Sequence, residues 1–326
     1  MVNSSSLGVI TIGIDVSKEK LDVCVLPLKL HFVIENTAKG IRQLLPKLPN
    51  SQSTAMVVLE ATNRYEKCAR DILMAHGYRV HIGHPSRVYY FGRSEKGYAK
   101  TDKIDSKMLA EYAKKDSLQP SAVPDKQIEL LEELSARRGQ LVAMKSAESS
   151  RMSGNLEPAV KRSIKRFMKS IDNEIEQINQ ELKKNMEQRE DLVARKALLS
   201  SCKGIGDVAS TILVSCLPEL GFLTRTQISA LTGLAPYNAD SGTKKGVRKI
   251  RGGRSYIRSI LYMCCLSAVR FNPTLREYYQ QLIARGKIKR VAQVAVMRKM
   301  IIMLNAMARE NKAWDPNYTS QPMLAS

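Results

Sequence analysis

Residues 9–35 read VITIGIDVSKEKLDVCVLPLKLHFVIE. Three short apolar or β-branched runs, residues 9–16, 21–26 and 30–35, follow one another at hairpin spacing, which predicts three antiparallel strands. Beyond them the pattern lengthens. A helix is expected over 41–48, a buried strand over 56–60 (MVVLE), an amphipathic helix over 65–76 and a strand over 79–82. A last helix begins near Thr101 and runs through Lys103, Met108, Leu109 and Tyr112.

Three antiparallel strands followed by alternating helices and strands is the order of a ribonuclease H-like α/β domain, here residues 1–125. The rest of the chain reads as helix. Over 126–196, Ile164, Phe167, Ile171, Ile175, Ile178 and Leu182 recur at steps of three and four among charged residues. That is the seam of a coiled coil or helical hairpin. SGNLEP at 153–158 supplies the turn, and the stripe needs a partner face, either within the chain or on a second copy. The third region, 197–326, opens with LLSSCKGIGDVASTILVS, two apolar helices about a Gly-Ile-Gly turn, resembling a helix-hairpin-helix. The backbone N–H groups of such a turn can hold a phosphate.

Charge narrows the partner class. The 326 residues carry a formal net charge of +21, a field that recruits polyanions, of which nucleic acid is the commonest. Between 241 and 310, sixteen Lys or Arg stand against Glu277 and Glu310 alone, so +14 of that excess lies in about a fifth of the chain. A merely solvated surface would intersperse acids. Six cysteines form no CxxC pair and no zinc spacing, which reads as buried thiols in a reducing cytoplasm. MVNSSS has no signal-peptide character, and Arg298 and Lys299 interrupt the longest apolar stretch, so no membrane span is expected.

Four acids occupy positions from which one domain could gather them. Asp15 ends the first strand, Glu60 ends the buried strand, and Asp102 and Asp105 lie three apart at the start of a helix. Carboxylates are hard oxygen ligands suited to Mg²⁺ or Mn²⁺, and a pair of such ions can activate and stabilise the two oxygens of a phosphoryl transfer. Each acid has a plainer use as surface charge, and Asp102 could cap its helix. Ser241 precedes a glycine with no histidine near it in the chain; chemistry alone leaves it a loop residue. Around it, Lys244, Lys245, Arg248, Lys249, Arg251, Arg254 and Arg258 are candidates to hold a nucleic-acid backbone.

GIDVSKEKLDV, VVLEATNRYE, KTDKIDSKMLAEY and LTGLAPYNADSGTKKG with the later RGGRSYIRSILYM resemble the insertion-sequence "IS one-ten" family, which includes the Piv-type DNA invertases. The resemblance runs through nearly the whole chain in order. It implies a RuvC-like, Mg²⁺-dependent first domain whose Asp-Glu-Asp-Asp quartet falls on Asp15, Glu60, Asp102 and Asp105. It further implies a coiled coil and a C-terminal transposase domain with Ser241 as nucleophile. The expected chemistry is cutting and rejoining of donor and target DNA through a serine–DNA linkage, guided by a structured noncoding bridge RNA. The expected assembly is a homodimer that pairs into a homotetramer, with the carboxylates of one protomer facing the serine of another. The expected location is the prokaryotic cytoplasm, at the nucleoid.

Two short strings point elsewhere. His81-Ile-Gly-His84 spells the signature of one aminoacyl-tRNA synthetase class, and GIDVSKEK is similar to the first phosphate loop of actin-like ATPases. Neither has the partner motif that its function requires. The competing functions are a RuvC-type nuclease that hydrolyses DNA with water, and a basic architectural protein with structural carboxylates.

Overall fold

The computed structural model describes residues 9–49, 54–96, 101–115, 118–238, 246 and 248–315. The chain divides into two compact units, Met1–Val123 and Pro124–Ser326.

In the first unit, β1 (Thr11–Val16), β2 (Lys20–Leu26) and β3 (Leu30–Glu35) form an antiparallel meander, and β4 (Met56–Glu60) and β5 (Arg79–Gly83) extend it in parallel. The sheet order is β3-β2-β1-β4-β5. The β1–β2 hairpin is tied at Ser17, whose hydroxyl donates to the Lys20 carbonyl (2.8 Å) and accepts from the Lys20 N–H (3.1 Å). α1 (Ala38–Leu44) is capped by Thr37, and with α2 (Lys67–Ala75) it covers one sheet face over Ile12, Ile14, Leu21, Val23, Val57 and Leu59. Residues 45–47, expected to continue the first helix, turn as a 3-10 helix containing Pro46.

The other face takes α3 (Pro85–Lys96) and α4 (Asp102–Tyr112). α4 lies against β1 almost backbone to backbone. A Cβ on Gly13 would sit 2.1 Å from the Ser106 carbonyl oxygen and 2.2 Å from the Ala110 nitrogen, so only glycine permits the approach. α3 has no counterpart among the sequence-based expectations.

In the second unit, α5 (Lys126–Met152) and α6 (Pro158–Glu187) pack along each other, joined by the 153–157 turn. α6 buries Ile171, Ile178, Leu182 and Met186, with Ile164, Met168 and Ile175 half-buried. Phe167, expected in that seam, is 45% exposed; Met168 takes its place, because a 3.6-residue period carries the stripe one position on. Ile171, Ile178, Leu182 and Met186 share one core with α7 (Glu190–Ser200), α8 (Asp207–Cys216), α9 (Arg225–Leu231), α10 (Ser255–Phe271) and α12 (Lys289–Glu310). α11 (Pro273–Ala284) packs on α10 and α12.

The turn between α7 and α8 places Gly204 at φ +108°, where a Cβ would meet Ala268 at 2.6 Å. α12 is long and apolar enough to cross a membrane by length and composition. Its apolar side is nevertheless inside the unit, with Ala292, Val296, Met300, Ile301 and Leu304 fully buried. Asn305 is buried among them, donating to the Leu223 carbonyl and accepting from the Gly221 N–H, both at 2.8 Å.

Candidate metal centre and nucleic-acid interface

Strand alternation decides which side chains meet. Gly13 touches α4, so Asp15, two residues on, projects from the same face. Met56 and Val58 pack with Met108 and Leu109 of α4, which puts Glu60 on that face as well. Asp102 and Asp105 occupy the first turn of α4, behind the Thr101 cap that accepts from the Ile104 N–H (3.3 Å). The α4 side of the sheet therefore collects acids at the ends of β1 and β4.

The electrostatics register the gathering. The Asp15 carboxyl is raised from 3.8 to about 6, first by burial and then by Asp105, Asp102, Glu60 and Asp22 in that order. Like charges held together favour a proton or a cation between them. Among the described residues, no three His, Cys, Asp or Glu side chains have closed into a ligand cage. Asp102 instead meets Lys20, whose Nζ donates to Oδ2 at 2.6 Å. An all-carboxylate set that lifts Asp15 and draws in an ammonium fits a hard divalent cation.

Asp22 is the acid that the sequence-based list omits. It is buried, stands directly across the hairpin from Asp15, and has His31 Nε2 3.4 Å from Oδ1 and Lys20 Nζ 3.4 Å from Oδ2. Its position was available from the sequence: a two-residue turn at Lys18-Glu19 pairs Asp15 with Asp22. Just past Glu60, Asn63 and Arg64 both take positive φ (49° and 69°), a tight left-handed turn that ends the strand's edge.

In the second unit, β6 (Pro236–Tyr237) pairs with β7 (Lys249–Ile250), so Tyr237 neighbours Lys249 across a two-stranded ribbon. Ser241, Lys244 and Lys245 lie outside the described residues. Arg248, Lys249 and Arg251 are exposed, and the Arg251 guanidinium stands 5.0 Å from the Tyr237 ring centroid. Two expected backbone contacts have internal partners. Arg254 forks onto Glu219 (2.6 and 2.7 Å) and the Cys216 carbonyl (2.9 Å), and Arg258 donates to the Gly252 carbonyl (2.8 Å). Arg254 is thus tied into the fold, because an acid distant in sequence supplies a planar match for its guanidinium.

Comparison with known proteins finds two family models along the chain. A DEDD transposase domain of IS110 type, described as "Transposase", matches residues 12–160, which include Asp15, Glu60, Asp102 and Asp105. A second domain, described as "Transposase IS116/IS110/IS902 family", matches residues 196–280, which include Ser241 and the basic stretch after it. The "Pilin gene-inverting protein" of Moraxella bovis is 25% identical over 320 residues, covering 93% of this chain and 97% of that protein. The homologous protein of Moraxella lacunata shows the same identity and coverage. The "Insertion element IS110 uncharacterized 43.6 kDa protein" of Streptomyces coelicolor is 28% identical over 131 residues, 40% of this chain and 32% of that protein. The chain belongs to the IS116/IS110/IS902 family of transposases, enzymes that cut and rejoin DNA.

Proposed function

We propose that this transposase cuts and rejoins DNA at a divalent-cation site held by Asp15, Glu60, Asp102 and Asp105, with Ser241 as the nucleophile. The observation that carries the metal site is the convergence of these acids on the α4 face, registered in the raised Asp15 carboxyl. The sheet order, an antiparallel meander extended by parallel strands, supports a ribonuclease H-like or RuvC-like frame for it. A bound Mg²⁺ or Mn²⁺ would polarise a phosphate oxygen and offset the charge of the displacement.

The chain's own residues do the rest. Ser241 Oγ bonds phosphorus as a deoxyribose oxygen leaves and takes up a proton; rejoining reverses the exchange, with a deoxyribose hydroxyl displacing Oγ. Each step trades one phosphate ester for another, so no external energy source is needed. Arg248, Lys249 and Arg251, exposed beside the β6–β7 ribbon, suit contact with the backbone, and Lys244 and Lys245 share that role. We further propose that a noncoding RNA pairs with donor and target DNA, that homodimers assemble into a tetramer, and that one protomer's carboxylates serve another's serine. Programmed inversion is the second reading of the biological outcome, favoured by the inverting proteins whose length matches this chain's nearly end to end.

Strand cleavage of DNA spanning the ends of the element, measured in Mg²⁺, Mn²⁺ and EDTA, tests the metal site. Cleavage should need the divalent ion and vanish in Glu60→Gln. Cutting in EDTA, or an active Glu60→Gln variant, overturns the carboxylate site.

A further inference from the structure

The acid cluster carries a cation of its own. Lys20 Nζ lies 2.6 Å from Asp102 Oδ2 and 3.4 Å from Asp22 Oδ2, bridging the sheet to the first turn of α4. Lys20 and Asp22 alternate on one face of β2, and the hairpin register sets Asp22 opposite Asp15. The two ends of this bridge differ. Asp22 is 5% exposed, and His31 Nε2 stands 3.4 Å from its other oxygen without a hydrogen bond. The Asp102 side chain is 53% exposed and that of Lys20 is 48% exposed, so their contact is wet and exchangeable.

We propose that Lys20 is a latch on the metal centre: anchored by Asp22, its ammonium stands in for a divalent cation beside Asp102 and gives way when the ion binds. Lys20 is a positioning residue that sets how tightly the site holds metal. Asp105, Asp102, Glu60 and Asp22 all act on Asp15 as like charges, a repulsion that a nearby cation reduces. One ammonium offsets part of that repulsion and keeps the first turn of α4 against the sheet. A divalent ion bound by the quartet would offset more of it, and Lys20 would then leave Asp102. The four-carbon stem lets the ammonium leave Asp102 while the backbone of β2 stays fixed. Asp22, buried and 3.4 Å from Lys20 Nζ, remains the anchor and is not part of the ligand set.

This inference rests on the quartet being a metal site, so the test separates the two. Mn²⁺ binding to the full chain without nucleic acid, followed by the loss of the free-ion electron paramagnetic resonance signal, is compared among wild type, Lys20→Met, Lys20→Arg and Asp15→Asn. Lys20→Met should bind Mn²⁺ about threefold tighter or more, because the competing internal charge is gone. Lys20→Arg, which restores a charge, should return toward wild type; a purely steric role of the stem would not separate Met from Arg. In EDTA, Lys20→Met should melt below wild type, and saturating Mn²⁺ should close the gap. Lys20→Met with unchanged or weaker Mn²⁺ affinity, or with the wild-type melting temperature in EDTA, overturns the latch. Undiminished binding by Asp15→Asn overturns the metal site itself.

Discussion

Asp15 is where burial and neighbouring charge oppose ionisation most clearly. Its folded-state pKa of about 6 lies above the ordinary 3.8, so between pH about 4 and 6 the folded chain holds a proton that the unfolded chain has released. Stability of the metal-free protein therefore falls as pH rises through that window, and stays at the lower level above it. Asp15→Asn should flatten the profile and raise the melting temperature at pH 7 in EDTA, read by thermal melts across pH 4–8. A divalent ion must displace that proton, so metal affinity should drop as pH falls below about 6. Gly13 acts on the same site through packing. Gly13→Ala pushes a methyl into the backbone of α4 and should cost the first unit about 3 kcal/mol, measured by denaturant unfolding. At this scale the sequence was legible where a residue's place follows from its strand: Asp15 lies near the end of the first expected strand and Glu60 ends a continuously apolar one. Asp22 followed from the same hairpin arithmetic, but a single acid between Leu21 and Val23 gives no sign of being buried.

Elements were legible in proportion to their periodicity. The five strands appear in the expected order, α6 spans the 164–182 repeat, and the turns expected at 153–158 and at the Gly-Ile-Gly before α8 are present. α3 did not announce itself. PSRVYYFGRSEK contains a glycine and adjacent aromatics, and its inward face amounts to Val88 and Phe91 against α4. The destination of a helix's apolar stripe was also hidden. Ile178, Leu182 and Met186 are covered within the unit itself, so this part of α6 needs no second chain to bury it. Leu182→Ala should lower the stability of the second unit by about 2–4 kcal/mol, while Phe167→Ala, at an exposed position, should change it by less than about 0.5 kcal/mol; chemical denaturation distinguishes them. The basic run shows the same limit. Net charge marks a region, but it cannot tell which arginines meet an acid elsewhere in the fold. Arg254→Ala should cost about 1–2 kcal/mol of stability through the loss of Glu219, discounted for its partial exposure. Arg248→Ala should leave stability alone and weaken DNA binding with a shallower salt slope.

Across the whole molecule, a net charge of +21 makes nucleic-acid affinity strongly dependent on salt. With six or more phosphate contacts, affinity should fall about a thousandfold between roughly 50 and 200 mM salt, measured by fluorescence anisotropy. A nearly flat curve would move the contact surface away from the basic region. Binding alone does not separate transfer from hydrolysis; the fate of the cut phosphate does. Wild-type protein is incubated in Mg²⁺ with DNA spanning the ends of its element and RNA transcribed from it, then quenched in denaturant, digested and read by mass spectrometry. The expected result is a nucleotide adduct on the peptide carrying Ser241, absent from Ser241→Ala and from Asp15→Asn although both still bind DNA. Cut DNA with no adduct, or an adduct on Tyr237 or Ser255, contradicts strand transfer through Ser241.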